Sequence, residues 1–335
     1  MNNTNKRLEW IDYGKGICML VVIFYHTLCY YTQNERLTFL FFPFFLTFFF
    51  FLSGYVIDIN KFNFRKSIKS IIQRLFIPYL IFTSIIWLPK AISHNSVISI
   101  KFMLCDILGG YASWFIAALI VAKATLSGIM IFTKSLKIIW IIALIFILIG
   151  FVSTIYIDHP APWYYNYGFI SLIYILLGST YRKYKDNITL TSTRYLICSI
   201  IIYISLIFLN KLYPTSIYYY NMTSNNISFL GIISYMILSL SGIWMMINIV
   251  TALPINLRLL KYVGKNSLIY YFLNGGVITV CVIVCNSIGL NYNGVILREV
   301  LFYIIIIAIL TIISLFINKF CPWMIGIYKP KIKKI

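Results

Sequence analysis

Charged residues are scarce in this chain. Asp, Glu, Lys and Arg together make up 11% of the 335 residues, whereas hydrophobic residues make up 61%. A water-soluble domain of this size needs many more charged side chains to cover its surface, so the composition excludes that class. The sequence therefore predicts an integral membrane protein.

Acidic residues are the rarest charged class, with eight Asp and Glu against 28 Lys and Arg. All eight lie at the edge of an apolar run or between runs, and none lies deep inside one. A proton-coupled transporter is expected to hold carboxylates within the membrane. Their absence there argues against that class of transporter.

Two kinds of processing or cross-linking signal are also missing. The seven cysteines include no CxxC pair, and five of them fall inside apolar runs, where cysteine acts as a small apolar residue. The first apolar run lacks a small-residue cleavage site, so we expect it to stay in the mature protein. The sequence predicts neither disulfides nor a metal site.

Long apolar runs are abundant, and most are long enough to cross a hydrocarbon core of about 30 Å as a helix. Ten spans are predicted, at residues 14–31, 38–57, 71–89, 112–132, 138–157, 168–181, 195–212, 229–253, 267–287 and 295–317. We expect a single all-α membrane domain over residues 1–335, a bundle of about ten transmembrane helices with a basic tail from about residue 319. A short interfacial helix is expected near residues 97–108.

The net charge of +20 suggests nucleic acid only if the bases share one surface of a soluble domain. Instead, 22 of the 28 bases fall on one side of the ten predicted spans and five on the other. Basic loops are typical of the cytoplasmic side. We therefore expect a multi-pass protein of a bacterial-type cell membrane, in contact with membrane lipids, with both termini cytoplasmic and no nucleic-acid partner.

The first span carries an ionisable residue inside the apolar run, His26, and a cation at its start, Lys15. On a helix these residues lie about 20° apart in azimuth and about 16 Å apart along the axis. His26 is either a neutral histidine bonded to a neighbouring helix or a general base, since imidazole accepts protons near neutral pH. Lys15 is either a membrane anchor or a contact for an anionic ligand.

Other candidates follow along the chain. Ser53 and Gly54 interrupt an aromatic run and either permit close helix packing or thin a wall beside a ligand. Arg74 precedes Pro78, which we expect to open the next helix at the membrane surface, and its guanidinium suits phosphate. Lys123 either extends towards the membrane surface or neutralises a ligand.

Aromatic residues mark the opposite side. Trp114 begins the fourth span, and tyrosines cluster at residues 163–167 and 218–221. Tyrosine and tryptophan at membrane edges usually form an interfacial belt. A sugar-binding surface is the alternative, because exposed aromatic side chains often mark binding sites.

Five motifs in this order resemble the membrane acyltransferase-3 family, particularly its fucose-4-O-acetylase-like branch. They are WIDYGKGICMLVVIFYH at 10–26, FFFLSGYVI at 49–57, RLFIPY at 74–79, SWFIAAL at 113–119 and VGKNSLIYYFLN at 263–274. The resemblance covers nearly the whole chain and implies acyl transfer, usually from cytoplasmic acetyl-CoA, to a hydroxyl of a cell-surface or envelope carbohydrate or lipid-linked glycan. It implies that His26 is the catalytic histidine, that Lys15 is the basic residue paired with it, and that Arg74 belongs to the CoA-binding group.

The chain departs from the family pattern at two positions. Many members carry RxxR before the proline, whereas Arg74 stands here alone, and Asn274 occupies a place where this branch often has histidine. His26 is thus the sole histidine candidate. We assign Ser53 and Gly54 to the donor path, and Trp114 and Asn274 to the acceptor.

Two other classes of protein remain open. One is a multi-spanning transporter or flippase of a lipid-linked glycan, although the chain shows no pair of broken helices in corresponding halves. The other is an inactive relative that serves as an assembly partner.

Overall fold

The computed structural model describes residues 9–32, 38–93, 98–157, 159–185, 193–212, 229–252, 257–290 and 294–327. Within these ranges the chain forms helices joined by turns, with no strands. This all-α architecture is expected in a bilayer, because a helix satisfies its own backbone hydrogen bonds where no water is available.

Thirteen α-helices occur in the described ranges. The first seven are α1 Glu9–Thr27, α2 Phe42–Tyr55, α3 Phe64–Ile71, α4 Ile77–Ser93, α5 Ile100–Leu108, α6 Trp114–Phe132 and α7 Leu136–Tyr156. The others are α8 Tyr165–Tyr184, α9 Thr193–Leu212, α10 Phe229–Ala252, α11 Arg258–Lys265, α12 Ser267–Ser287 and α13 Ile296–Phe320. Two π-helical turns, Leu28–Thr32 and Ile72–Phe76, continue α1 and join α3 to α4.

Seven helical segments of the described chain are long and apolar enough to cross a membrane: Glu9–Thr32, Phe64–Pro89, Trp114–Phe132, Leu136–Tyr156, Ile233–Ala252, Ser267–Ser287 and Ile296–Phe320. Each of the ten predicted spans coincides with a helix, but α2 has only 14 residues and α9 contains a shorter apolar stretch. The integral membrane, all-helical class is confirmed. The count of ten spans and the side of the termini stay predictions.

Helix α8 explains why the sixth predicted span was the shortest. It runs for 20 residues and is buried on nearly every side, with α2, α6 and α7 packed around it. A helix enclosed by protein does not need an apolar face towards lipid, so Ser171 and Ser179 lie inside it at no more than 2% exposure. The outer helices α7 and α13 instead expose many Ile and Leu side chains, which is the pattern for contact with lipid.

Two glycines let α2 and α8 touch backbone to backbone. A Cβ at Gly54 would lie 1.9 Å from the carbonyl oxygen of Ile175, and one at Gly178 would lie 2.0 Å from that of Phe51. Either substitution would force the two helices apart. The pair is a small-residue contact of the kind that holds membrane helices together without a hydrophobic driving force.

The expectation that Pro78 opens a helix at the membrane surface is wrong. The helix begins at Phe64 and continues through the π turn Ile72–Phe76 into α4, so Pro78 lies inside a continuous helical segment. Proline cannot donate to the carbonyl four residues earlier and clashes with it, and a π turn one turn upstream widens the backbone there. Arg74 therefore lies ten residues, about 15 Å, beyond Phe64 along the axis.

Candidate functional site

A cavity of about 930 Å³ lies within the helix bundle. We call it the basic cavity. Its walls come from α1, α2 and the turn after it, the α3–α4 segment, α6, the end of α8, the junction of α11 and α12, and a short segment after α13. Its size falls in the range of pockets that hold a small-molecule ligand.

Cations outnumber acids in the lining of this cavity. Six cations and two carboxylates contribute to it: Lys15, Lys61, Arg74, Lys123, Arg182 and Lys265, with Asp12 and Asp58. Like charges held near one another repel unless opposite charges compensate them. The arrangement therefore favours a ligand that carries several negative charges.

One of these cations, Lys123, interacts electrostatically with two others that come from separate helices. Lys15 on α1 and Arg74 in the π turn both lie near enough to Lys123 on α6 to repel its ammonium group. Lys123 and Arg74 make no hydrogen bond or ion pair within the described ranges. Lys123 is half-buried and lines the cavity, and its two predicted roles, extension to the membrane surface and contact with a ligand, both stay predictions.

Arg182 has a different environment, because its side chain is hydrogen-bonded to the C-terminal end of α2. Its guanidinium donates to the backbone carbonyls of Tyr55 and Val56, at 3.3 and 2.8 Å, and forms an ion pair of 3.4 Å with Asp58. The other Asp58 oxygen accepts from the backbone N–H of Lys61 at 3.3 Å. A cation at a helix C-terminus is favourable, so Arg182 stabilises the wall that carries Lys61.

Close packing of α11 on α1 positions the first cation. A Cβ at Gly264 would lie 1.8 Å from the carbonyl oxygen of Asp12, and one at Gly16 would lie 2.3 Å from that of Leu260. Lys15 and Lys265, each beside one of these glycines, thereby reach the same cavity. At the exposed edge of this contact Glu9 pairs with Lys261, and that hydrogen bond raises the pKa of the Lys261 ammonium.

Aromatic side chains also line the cavity, among them Phe49, Phe115 and Tyr271. Phe115 on α6 lies 5.7 Å from Phe49 and 5.4 Å from Tyr271, measured between ring centroids. The Tyr271 hydroxyl is hydrogen-bonded to Ser113 Oγ at 3.1 Å. This hydrogen bond and the ring contacts hold Tyr271 in one orientation.

His26 lies on α1, one residue before its end, where the π turn Leu28–Thr32 begins. Its imidazole is half-buried between the rings of Tyr25 and Tyr30, at 5.3 and 6.0 Å, and makes no hydrogen bond to the described part of the chain. The expected alternative of a histidine bonded to a neighbouring helix is therefore not what the described residues show. His26 is not among the residues that line the basic cavity.

The two donor-path candidates on α2 occupy different places. Ser53 lines the basic cavity, whereas Gly54 does not and instead packs on the backbone of α8. Packing at Gly54 fixes the rotation of α2 that turns Ser53 towards the cavity. The position of Gly54 thus matches the predicted role in close helix packing, and the position of Ser53 matches the predicted role beside a ligand.

The two acceptor candidates lie outside the lining of the basic cavity. The Trp114 ring is half-buried, 5.9 Å from the rings of Phe115 and Tyr167. Asn274 is 2% exposed, and its Nδ2 donates to the carbonyls of Tyr270 and Tyr271 at 3.1 and 2.5 Å. Its Oδ1 has no hydrogen-bond partner within the described ranges, which leaves a buried acceptor one helical turn from Tyr271.

Sequence reasoning missed several residues of the cavity. Lys265 and Tyr271 lie within the VGKNSLIYYFLN motif, and that motif was the signal that could have identified them. Lys61 and Arg182 were counted only as bases on one side of the membrane. No local pattern distinguishes them, because their role depends on the contact between α2 and α8.

Among known proteins, one family is similar to this chain over most of its length. The acyltransferase-3 family model, described as an acyltransferase domain, matches residues 8–319 and so includes nearly all the elements above. No curated protein and no solved structure matches the chain.

Proposed function

The chain belongs to the acyltransferase-3 family, and we propose that this membrane acyltransferase moves an acetyl group from acetyl-CoA to a hydroxyl of a cell-surface or envelope carbohydrate. The product is an O-acetylated exopolysaccharide, O-antigen or similar glycan. The fucose-4-O-acetylase-like branch remains a prediction from the residue patterns.

The observation that supports an acyl-CoA donor is the charge of the basic cavity. CoA carries phosphates at one end and its thioester at the other, so it needs a cationic site joined to a less polar path. We call the end of the cavity that carries the exposed residues Lys61, Arg74 and Lys265 the mouth. The half-buried residues Lys15 and Lys123 lie further into the cavity. Arginine and lysine form charge-assisted hydrogen bonds to phosphate oxygens.

In the proposed reaction His26 is the general base. Its unprotonated ring nitrogen takes the proton of the acceptor hydroxyl while the hydroxyl oxygen attacks the acetyl carbonyl carbon. The carbon–sulfur bond then breaks, and the imidazolium returns the proton to the departing thiolate, which leaves as CoA thiol. Because α1 carries Lys15 about 16 Å from His26 on nearly the same face, one helix can serve both ends of the donor.

The remaining assigned residues have supporting roles in this proposal. Ser53 contacts the donor from α2, and Gly54 holds that helix against α8. Trp114 and Asn274 contact the acceptor, and the Asn274 Oδ1, which has no partner among the described residues, can accept a hydrogen bond from a sugar hydroxyl.

We also propose a membrane and an orientation for the protein. The bias of basic residues supports cytoplasmic termini in a bacterial-type inner membrane, with the mouth open to cytoplasmic acetyl-CoA. The chemistry requires neither a metal nor a bound cofactor beyond this co-substrate.

Release of CoA thiol tests this function directly. The purified protein in lipid nanodiscs is mixed with acetyl-CoA, with and without envelope glycan, and free thiol is measured with a chromogenic reagent. Glycan-dependent thiol together with acetylated glycan is the expected result. A transporter or an inactive relative would release none, and that outcome would overturn the proposal.

A further inference from the structure

A short segment after α13 packs back onto the helix bundle. Residues 322–327 turn back and pack on α4 and on the π turn that carries Arg74, and we call this segment the hook. It begins with a 3₁₀ turn, Pro322–Ile325, and closes with hydrogen bonds from Gly326 N–H to Trp323 O at 3.1 Å and from Ile327 N–H to Pro322 O at 3.0 Å.

Gly326 makes the critical contact of the hook. Its φ of +72° lies in the left-handed region, and a Cβ there would lie 2.0 Å from the carbonyl oxygen of Gln73 and 3.3 Å from the Cα of Arg74. The position therefore excludes a side chain for two independent reasons, backbone conformation and space. The backbone of Gly326 therefore packs directly on the backbone of the π turn, beside Arg74.

This contact bears on the position of the Arg74 side chain. A π turn holds one residue more than an α-helical turn and is frequent at functional sites, and the hook packs directly on this one. The guanidinium of Arg74 makes no hydrogen bond or ion pair in the described ranges. Its location is thus set at the Cα end, where Gly326 lies.

The hook also forms part of the cavity wall. Ile325 and Ile327 line the basic cavity together with Arg74 and Leu75. An apolar surface beside a guanidinium that has no partner among the described residues suits a ligand that joins a flat, weakly polar ring system to phosphates.

We propose that the hook is the nucleotide subsite of the donor: Gly326 positions Arg74 for a phosphate, and Ile325 and Ile327 cover the purine. This inference rests on the proposed acetyl-CoA-dependent function. It makes Gly326 a positioning residue that acts through Arg74.

The test compares two glycines of similar backbone conformation. Gly326→Ala and Gly289→Ala, where φ is +71° and no atom lies within 4 Å of the added Cβ, are assayed with acetyl-CoA and with acetyl-pantetheine, which lacks the nucleotide. Gly326→Ala should raise the KM for acetyl-CoA about tenfold, the scale of one charge-assisted hydrogen bond, with kcat and the KM for acetyl-pantetheine unchanged. Gly289→Ala should match the parent.

A double-mutant cycle separates positioning from general damage. In an Arg74→Ala background, Gly326→Ala should raise the KM for acetyl-CoA by less than it does in the parent, and the remaining increase comes from the displaced Ile325 and Ile327. An increase as large as that in the parent background would overturn the role through Arg74, and equal KM values for Gly326→Ala and the parent would overturn the subsite.

Two outcomes distinguish this inference from the proposed function. A parent protein that releases no thiol from either donor contradicts the proposed function itself, whereas a parent that releases thiol and a Gly326→Ala variant with an unchanged KM contradict only the subsite.

A second variant is available if size-exclusion chromatography shows that Gly326→Ala does not fold. Ile327→Ala then replaces it, since Ile327 is 54% exposed and removal of its side chain leaves the backbone unchanged. Ile327→Ala should raise the KM for acetyl-CoA and not for acetyl-pantetheine, and equal effects on both would overturn the subsite.

Discussion

Arg182 on α8 donates a hydrogen bond of 2.8 Å to the backbone carbonyl of Val56, where α2 ends. The same guanidinium pairs with Asp58, which in turn accepts from the backbone of Lys61. One side chain thus joins two core helices and shapes the edge of the basic cavity. Its contribution is structural, although it lies beside the cations assigned to the donor.

Replacing Arg182 should therefore lower stability. Arg182→Gln removes the charge and leaves helix C-terminal carbonyls without their donor, at a cost of about 1–2 kcal/mol. Thermal unfolding in detergent measures this against Lys185→Gln, an exposed residue near the end of the same helix. Equal melting temperatures for the two variants would contradict the structural role.

Lys123 should behave in the opposite way. Lys123→Met removes repulsion from Lys15 and Arg74, so the ligand-free protein should melt at a higher temperature than the parent. Stabilisation by added CoA should shrink, because one phosphate contact is lost. Melting curves recorded with and without CoA measure the melting temperature of the free protein and its increase on CoA binding. Lys137→Met, at an exposed lysine, is the control and should change neither quantity.

The contact between α1 and α11 should tolerate no side chain. Gly264→Ala would place a Cβ 1.8 Å from Asp12 O, and the overpacking should cost about 1–3 kcal/mol and displace Lys265 from the cavity. Gly128→Ala is the matched control, because no atom lies within 4 Å of its added Cβ and alanine favours a helix interior. A Gly264→Ala variant as stable as Gly128→Ala would show that the two helices are not in this contact.

Binding of CoA should weaken with salt. Lys61, Arg74 and Lys265 are exposed, so their attraction for phosphates is screened as the Debye length falls from about 10 Å at 0.1 M salt to about 3 Å at 1 M. Isothermal titration of the protein in nanodiscs should show several-fold weaker CoA binding at high salt and little change for acetyl-pantetheine. A CoA affinity independent of salt would argue against the cationic mouth.

Local sequence was enough to predict the helical membrane class and to select Lys15, Ser53 and Arg74, which all line one cavity. These residues stand in motifs whose composition is unusual for a span. Arg182 and Gly326 could not be selected in this way, because each acts on a helix far away in sequence. The π turn at Arg74 was also missed, since proline near the start of a run normally indicates a helix N-terminus rather than a widened turn inside a helix.

The central claim is that His26 is the general base of an acetyl transfer, and the most direct measurement is the rate of glycan O-acetylation by a His26→Ala variant. His159→Ala, at an exposed histidine, is the matched control. With both proteins shown by chromatography to be folded and to bind CoA like the parent, His26→Ala should lose about 10²- to 10⁴-fold in rate and His159→Ala none. A His26→Ala variant that acetylates the glycan at the parent rate would contradict the account.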